Sequence, residues 1–332
     1  MRIPAFRIVT LLLVVVLLVS ACATPEPTVT VAPLPTNTTT IATATVKATP
    51  AATSATSAQP ADPANFAKPD YKDMIDVGAY KLSIQCWGNG SPTVILDADL
   101  GVALDVWQAV VPDVAAKTRV CAYNRAGVGN SDRSPMMPRT TQAFADEMYR
   151  MLDSAKIAPP YVLVSSGIAA LAARLNYRDH TQNLVGMVFV EPSSPSAKAD
   201  MQPLLPAETA SDSATVKAWR QLYNDTNWFS WPEGLNLDSS MTQASKVTSL
   251  GSIPLTILWP SPATIDSYVA GLPADNAAKV KAAFDKWQKE SAQLSPKSSV
   301  SVSTQTGGSL AQKDPQLVIK AILDMLDQVK TK

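Results

Sequence analysis

The chain has 332 residues, 46% of them hydrophobic and 17% charged, and its 28 basic and 28 acidic side chains give zero formal net charge. That balance leaves no basic footprint for nucleic acid. One histidine and three cysteines, without clustered spacing, leave no metal-ligand set, and no Walker loop or dinucleotide fingerprint points to a cofactor.

The N-terminus reads as a targeting segment. Arg2 and Arg7 precede an almost wholly apolar run, residues 8–19, that ends in Val19-Ser20-Ala21-Cys22. A run this short is an h-region rather than a comfortable membrane span. Small residues before a cysteine resemble a bacterial lipobox, so residues 1–22 are expected to be a lipoprotein signal peptide. Cys22 is then the lipidated residue, anchoring the chain to the extracytoplasmic face of a membrane. Residues 23–68 are dominated by Thr, Ala, Pro and Ser. Such a segment cannot bury enough surface to offset its ordering entropy, and it is expected to be a disordered tether.

From Tyr71 onward, short apolar runs alternate with helical stretches. Strands are predicted over 80–87, 93–96, 119–123, 161–164, 184–190, 254–259 and 300–303. Helices are predicted over 104–116, 141–155, 168–177, 215–223, 277–293 and 315–329. Strands alternating with helices imply a mostly parallel sheet covered on both faces. Residues 195–250 interrupt the rhythm and read as an inserted cap containing the aromatic cluster Trp228, Phe229 and Trp231.

Several segments, in order, resemble the α/β-hydrolase family over residues 69–332. Cys86-Trp87-Gly88-Asn89-Gly90-Ser91-Pro92-Thr93-Val94 looks like its second strand, turn and third strand. Leu96-Asp97-Ala98-Asp99-Leu100-Gly101 looks like its oxyanion loop. Tyr123-Asn124-Arg125-Ala126-Gly127-Val128-Gly129-Asn130-Ser131 is close to its Y-D-R-x-G-x-G-x-S run. Phe189-Val190-Glu191-Pro192-Ser193 looks like the end of its sixth strand, and Asp314-Pro315-Gln316 like the segment after its histidine. The resemblance implies an α/β-hydrolase fold, with a mostly parallel eight-stranded sheet flanked by helices and a small cap. In that fold the strands of Cys86 and Cys121 are neighbours. A disulfide between them, in an exported protein, would add roughly 3–4 kcal/mol; two buried free thiols are the alternative.

The catalytic parts of that family are missing here. The strand 161–164 enters Ser165-Ser166-Gly167-Ile168-Ala169, where the nucleophile elbow carries its serine in G-x-S-x-G. The serine position aligns with Gly167. The position of the base, seven residues before Pro315, holds Gly308. His180, about 13 residues past the elbow, lies roughly 20 Å away at ~1.5 Å per residue and is expected at the surface. Asp99 stands where the oxyanion loop usually has glycine; it either opposes the developing charge or faces solvent. Glu191 is a relic catalytic acid or a loop cap, and Asn124, Arg125 and Asp132 read as structural anchors.

The expected oxyanion-loop residues are therefore Asp99, Leu100 and Ile168. The expected function is a lipid-anchored, inactive pseudo-hydrolase that binds a small apolar or ester-like ligand, walled by Trp228, Phe229 and Trp231, or a protein partner. The alternatives are an ester hydrolase with a relocated nucleophile, such as Ser166 or Ser309, and a pure interaction module.

Overall fold

The computed structural model describes residues 68–210, 212–224 and 232–330. The predicted signal peptide, Cys22 and the tether up to residue 67 lie outside the described residues. Among these, eight strands form one sheet. They are β1 (Tyr71–Asp76), β2 (Lys81–Trp87), β3 (Thr93–Asp97), β4 (Val120–Tyr123), β5 (Tyr161–Ser166), β6 (Leu184–Val190), β7 (Leu255–Trp259) and β8 (Ser298–Val302). Their order is β1-β2-β4-β3-β5-β6-β7-β8. β2 is antiparallel to β1 and β4, and every pairing from β4 across to β8 is parallel.

The helices are α1 (Val111–Ala115), α2 (Thr141–Ser154), α3 (Ala169–His180), α4 (Ala197–Met201), α5 (Ala214–Asn224), α6 (Leu237–Ser245), α7 (Pro262–Tyr268), α8 (Ala274–Ala292), α9 (Leu310–Lys313) and α10 (Pro315–Lys330). The central strands are apolar at nearly every position because both faces are covered. Val94, Leu96, Val162, Val164, Val188 and Val190 face α1 and α10 in one core layer. The alternate residues Ile95, Leu163, Met187 and Phe189 face α2, α3 and α8 in the other. α4, α5 and α6 lie in the insertion between β6 and β7.

The short helices α4, α6, α7 and α9 lie outside the predicted helices, and two further elements differ from the sequence reading. The helix expected over 104–116 is broken into a 3-10 turn, Leu104–Trp107, and the short α1, with Pro112 in the first turn of α1. Proline has no N–H to continue a helix from the preceding turn, so it starts one instead. β1 carried no clear pattern because it is an edge strand, with three of its six residues charged and exposed.

Cys86 and Cys121 sit directly opposite each other on β2 and β4 and form a disulfide. The bridge ties the antiparallel end of the sheet to its parallel body across a separation of 35 residues. Replacing both cysteines with serine is expected to cost about 3–4 kcal/mol by freeing the unfolded chain, read as a lower midpoint in urea with a steeper slope.

Candidate functional site

The turn from β5 into α3 is an elbow. Gly167 sits at its tip with φ +53°, a left-handed conformation that glycine adopts without strain. Its N–H donates to the Val190 carbonyl, and its own carbonyl accepts from Ser193 and Ala170, so β6 and α3 hold the turn on both sides. Ser165 and Ala169 beside it are fully buried, which requires them to be small.

A side chain at Gly167 has nowhere to go. An ideal Cβ there would lie 2.0 Å from the Cγ and Oδ1 of Asp99 and 2.2 Å from its Oδ2. The Asp99 carboxylate therefore occupies the space into which an elbow nucleophile projects. Its Oδ1 also accepts two backbone hydrogen bonds, from Leu100 N at 2.7 Å and Ile168 N at 2.8 Å. In a hydrolase elbow the N–H after the nucleophile and one from the loop after the third strand are the oxyanion donors. Asp99 places its own oxygen between two N–H groups at those positions. It is half-buried rather than a freely solvated loop residue, the second of the two readings the sequence left open. It lines a pocket, where burial pushes its carboxyl above the ordinary range against the two N–H bonds.

The loop carrying Asp99 is fixed from behind by Arg125. Its guanidinium contacts Asp97 Oδ1 at 2.5 Å, the Ala98 carbonyl at 2.6 Å and the Asp99 carbonyl at 2.7 Å. It also meets Glu233 through Nε at 2.7 Å and NH2 at 3.1 Å, and Glu233 accepts from Gly101 N at 2.6 Å. Arg125, Asp97 and Glu233 are all buried. Glu233 comes from the insertion, so one ion cluster joins cap and loop. Asn124 accepts from Leu104 N and donates to Ser83, and Asp132 accepts from Lys81 N. Both are structural, in keeping with the sequence reading.

The pocket over the elbow has a volume of about 640 Å³ and brings Gly167, Gly308, Glu191 and Asp99 together. Glu191 follows β6 at φ +50°. Its Oε2 accepts from Leu310 N at 2.9 Å, two residues past Gly308, so it grips the loop on which a catalytic base would stand. Burial, with a smaller contribution from the charge of Asp99, pushes the Glu191 carboxyl up to about 7. Gly308 has φ +71°, and the atoms nearest to a Cβ there belong to the stem of Lys313, at 3.1 Å. Ser166 and Ser309 also line the pocket, whereas no Lys, Arg or His among the described residues does. His180 lies at the far end of α3, stacked on Tyr149 with ring centroids 3.6 Å apart.

Trp228, Phe229 and Trp231 lie outside the described residues. The aromatic wall that is described comes from elsewhere: Trp219 and Tyr223 of α5, Trp259 of β7, Tyr268 of α7, and Phe284 and Trp287 of α8. The signal for Trp287 was its i, i+3 spacing from Phe284 on an amphipathic helix. Sequence alone could not tell a pocket-facing ring from a core ring.

No family model matches the chain. An AB hydrolase superfamily protein of Gibberella zeae is 28% identical over 103 residues, 30% of this chain and 32% of that one. Protein YqjL of Bacillus subtilis is 27% identical over 106 residues, 32% of this chain and 42% of its own length. The chain thus spans well under half of the curated relatives it matches. Among solved structures, a thermophilic esterase from Thermogutta terrifontis covers 78% of this chain and 99% of its own, with TM-score 0.52 and 18% identity. Carboxylesterase CesB of Bacillus subtilis covers 79% and 93%, with TM-score 0.51 and 12% identity. The chain has the α/β-hydrolase fold, and its sequence relatives include hydrolases.

Two measurements test this geometry. Gly167→Ser is expected to destabilise the protein by about 1–3 kcal/mol through overpacking, and by much less when Asp99→Gly is already present. A double-mutant cycle reads the difference, and strict additivity would contradict the contact. Glu191 binds its proton more tightly folded than unfolded. Its stabilising contribution is therefore full below about pH 4.5 and lost as pH rises through about 7. Glu191→Gln keeps an acceptor for Leu310 and should flatten the fall in melting temperature across that window.

Proposed function

We propose that this chain is a lipid-anchored extracytoplasmic protein with an α/β-hydrolase fold that does not act as a serine hydrolase and uses its pocket to bind a small ligand. The observation that carries the reading is the Asp99 carboxylate, seated against the elbow tip with Oδ1 on the N–H groups of Leu100 and Ile168. Acyl transfer needs a nucleophile at the tip, a base within about 3 Å of it and vacant oxyanion donors. Here the tip is glycine, the base position is glycine, and a carboxylate oxygen takes the donors. The lipobox-like Val19-Ser20-Ala21-Cys22 supports the anchor, and no helix among the described residues is long and apolar enough to cross a membrane.

A relocated nucleophile at Ser166 or Ser309 would still need a base; no imidazole or amine lines the pocket among the described residues, and the Glu191 carboxylate is engaged by Leu310 N. Ligand binding is favoured over a purely structural role by the pocket itself, whose volume of about 640 Å³ lies within the range of small-molecule sites, roughly 300–1,000 Å³.

The test is fluorophosphonate labelling of the folded protein, with short-chain aryl ester turnover measured in parallel. Silence in both is expected. Labelling and turnover abolished by one serine substitution would overturn the reading. The triple change Asp99→Gly, Gly167→Ser and Gly308→His should introduce labelling; Gly167→Ser with Gly308→His alone should not, because Asp99 still fills the tip.

A further inference from the structure

The same exchange that removes hydrolytic chemistry leaves the pocket with an unusual set of groups. Its ionisable lining is Asp99, Glu191 and the phenols Tyr223 and Tyr268; no cation lines it among the described residues. Arg125, the nearest buried cation to Asp99, lies behind the loop and is already shared between Asp97 and Glu233. One guanidinium against two carboxylates leaves that cluster no positive charge to lend. Oδ1 of Asp99 is satisfied by two N–H groups, and Oδ2 meets no donor among the described residues.

Much of the remaining lining is aromatic, and its rings pack against one another. Phe284 is its centre, with ring centroids 6.0 Å from Trp219, 6.1 Å from Trp259, 6.3 Å from Tyr268 and 5.1 Å from Trp287. The Trp287 indole N–H is tied to Asp200 at 2.8 Å, which fixes the orientation of the ring. Ring faces attract cations, most strongly where water is excluded, and Trp most of all.

We propose that the pocket is a receptor site for a small organic cation, an amine or quaternary ammonium with apolar substituents, held between the carboxylates of Asp99 and Glu191 and the rings of Trp219, Tyr268, Phe284 and Trp287. The proposal rests on the non-hydrolytic reading above. The charge of such a ligand supplies what the two carboxylates lack, and its carbon surface meets the rings. A bare divalent metal fits poorly: hard cations take six to eight oxygens, and no group of three His, Cys, Asp or Glu is placed to hold a metal among the described residues. An anionic acid, the product of ester hydrolysis, would meet two carboxyl groups and no cation among the described residues.

The experiment uses the full chain in detergent, titrated calorimetrically with benzyltrimethylammonium, its neutral near-isostere 2-methyl-1-phenyl-2-propanol, and phenylacetate. The cation is expected to bind at least tenfold more tightly than the alcohol, and phenylacetate not at all. Asp99→Asn with Glu191→Gln keeps a side-chain oxygen to accept from the N–H groups of Leu100, Ile168 and Leu310. It should weaken the cation at least tenfold and leave the alcohol unchanged; Glu191→Gln alone serves if the double variant does not melt cooperatively. Equal affinity for cation and alcohol would overturn the cation assignment while leaving ligand binding intact. So would loss of alcohol and cation binding together in the variant. No binding of any probe to a cooperatively melting sample would also overturn it. Fluorophosphonate labelling of the same sample would instead overturn the non-hydrolytic reading on which it rests.

Discussion

One buried guanidinium organises the site. Arg125 leaves the end of β4 and grips both sides of the loop after β3, through the Asp97 carboxylate and the carbonyls of Ala98 and Asp99. With its remaining donors it holds Glu233, which comes back from the insertion and caps Gly101. Burying these charges is costly unless every one is paired, so the cluster tolerates little displacement. The position of Asp99 over the elbow, and of the insertion over the pocket, both follow from that intolerance. Arg139 repeats the pattern one step outward, paired with Glu147 and donating to the carbonyls of Ala126 and Glu233, with the Phe144 ring stacked between the two arginines.

The fold was largely legible because its strands are dictated by local chemistry. A strand buried on both faces reads as an unbroken apolar run, and β3, β5, β6 and β7 are such runs. The edge strand β1 and the short helix α6, with its Ser, Thr and Gln face, lack that signal and were not separable from loops. Pro112 was visible, but its consequence, a helix split in two, depends on how the chain turns at Gln108.

The site was legible in part. The family resemblance put Gly167, Gly308 and Glu191 at one site, and the three do line one pocket. The orientation of Asp99 could not be read, since it depends on Arg125 acting from a strand nearly thirty residues away. Nor could the aromatic wall: Trp219, Trp259 and Phe284 come from three elements that meet only in the folded chain. Trp228, Phe229 and Trp231, expected as pocket walls from their clustering in sequence, lie outside the described residues. Alternation along a strand is a local property, whereas a pocket is a property of several elements at once.

The contact between Asp99 and position 167 makes the two residues a single unit of inheritance. A carboxylate at 99 excludes a side chain at 167, and a serine at 167 would drive the carboxylate off the N–H groups of Leu100 and Ile168. Neither residue can change toward the hydrolase arrangement without first passing through a less stable chain. The two positions are therefore interlocked: a serine at the tip needs two coordinated changes, at 167 and at 99, where an open elbow would need one.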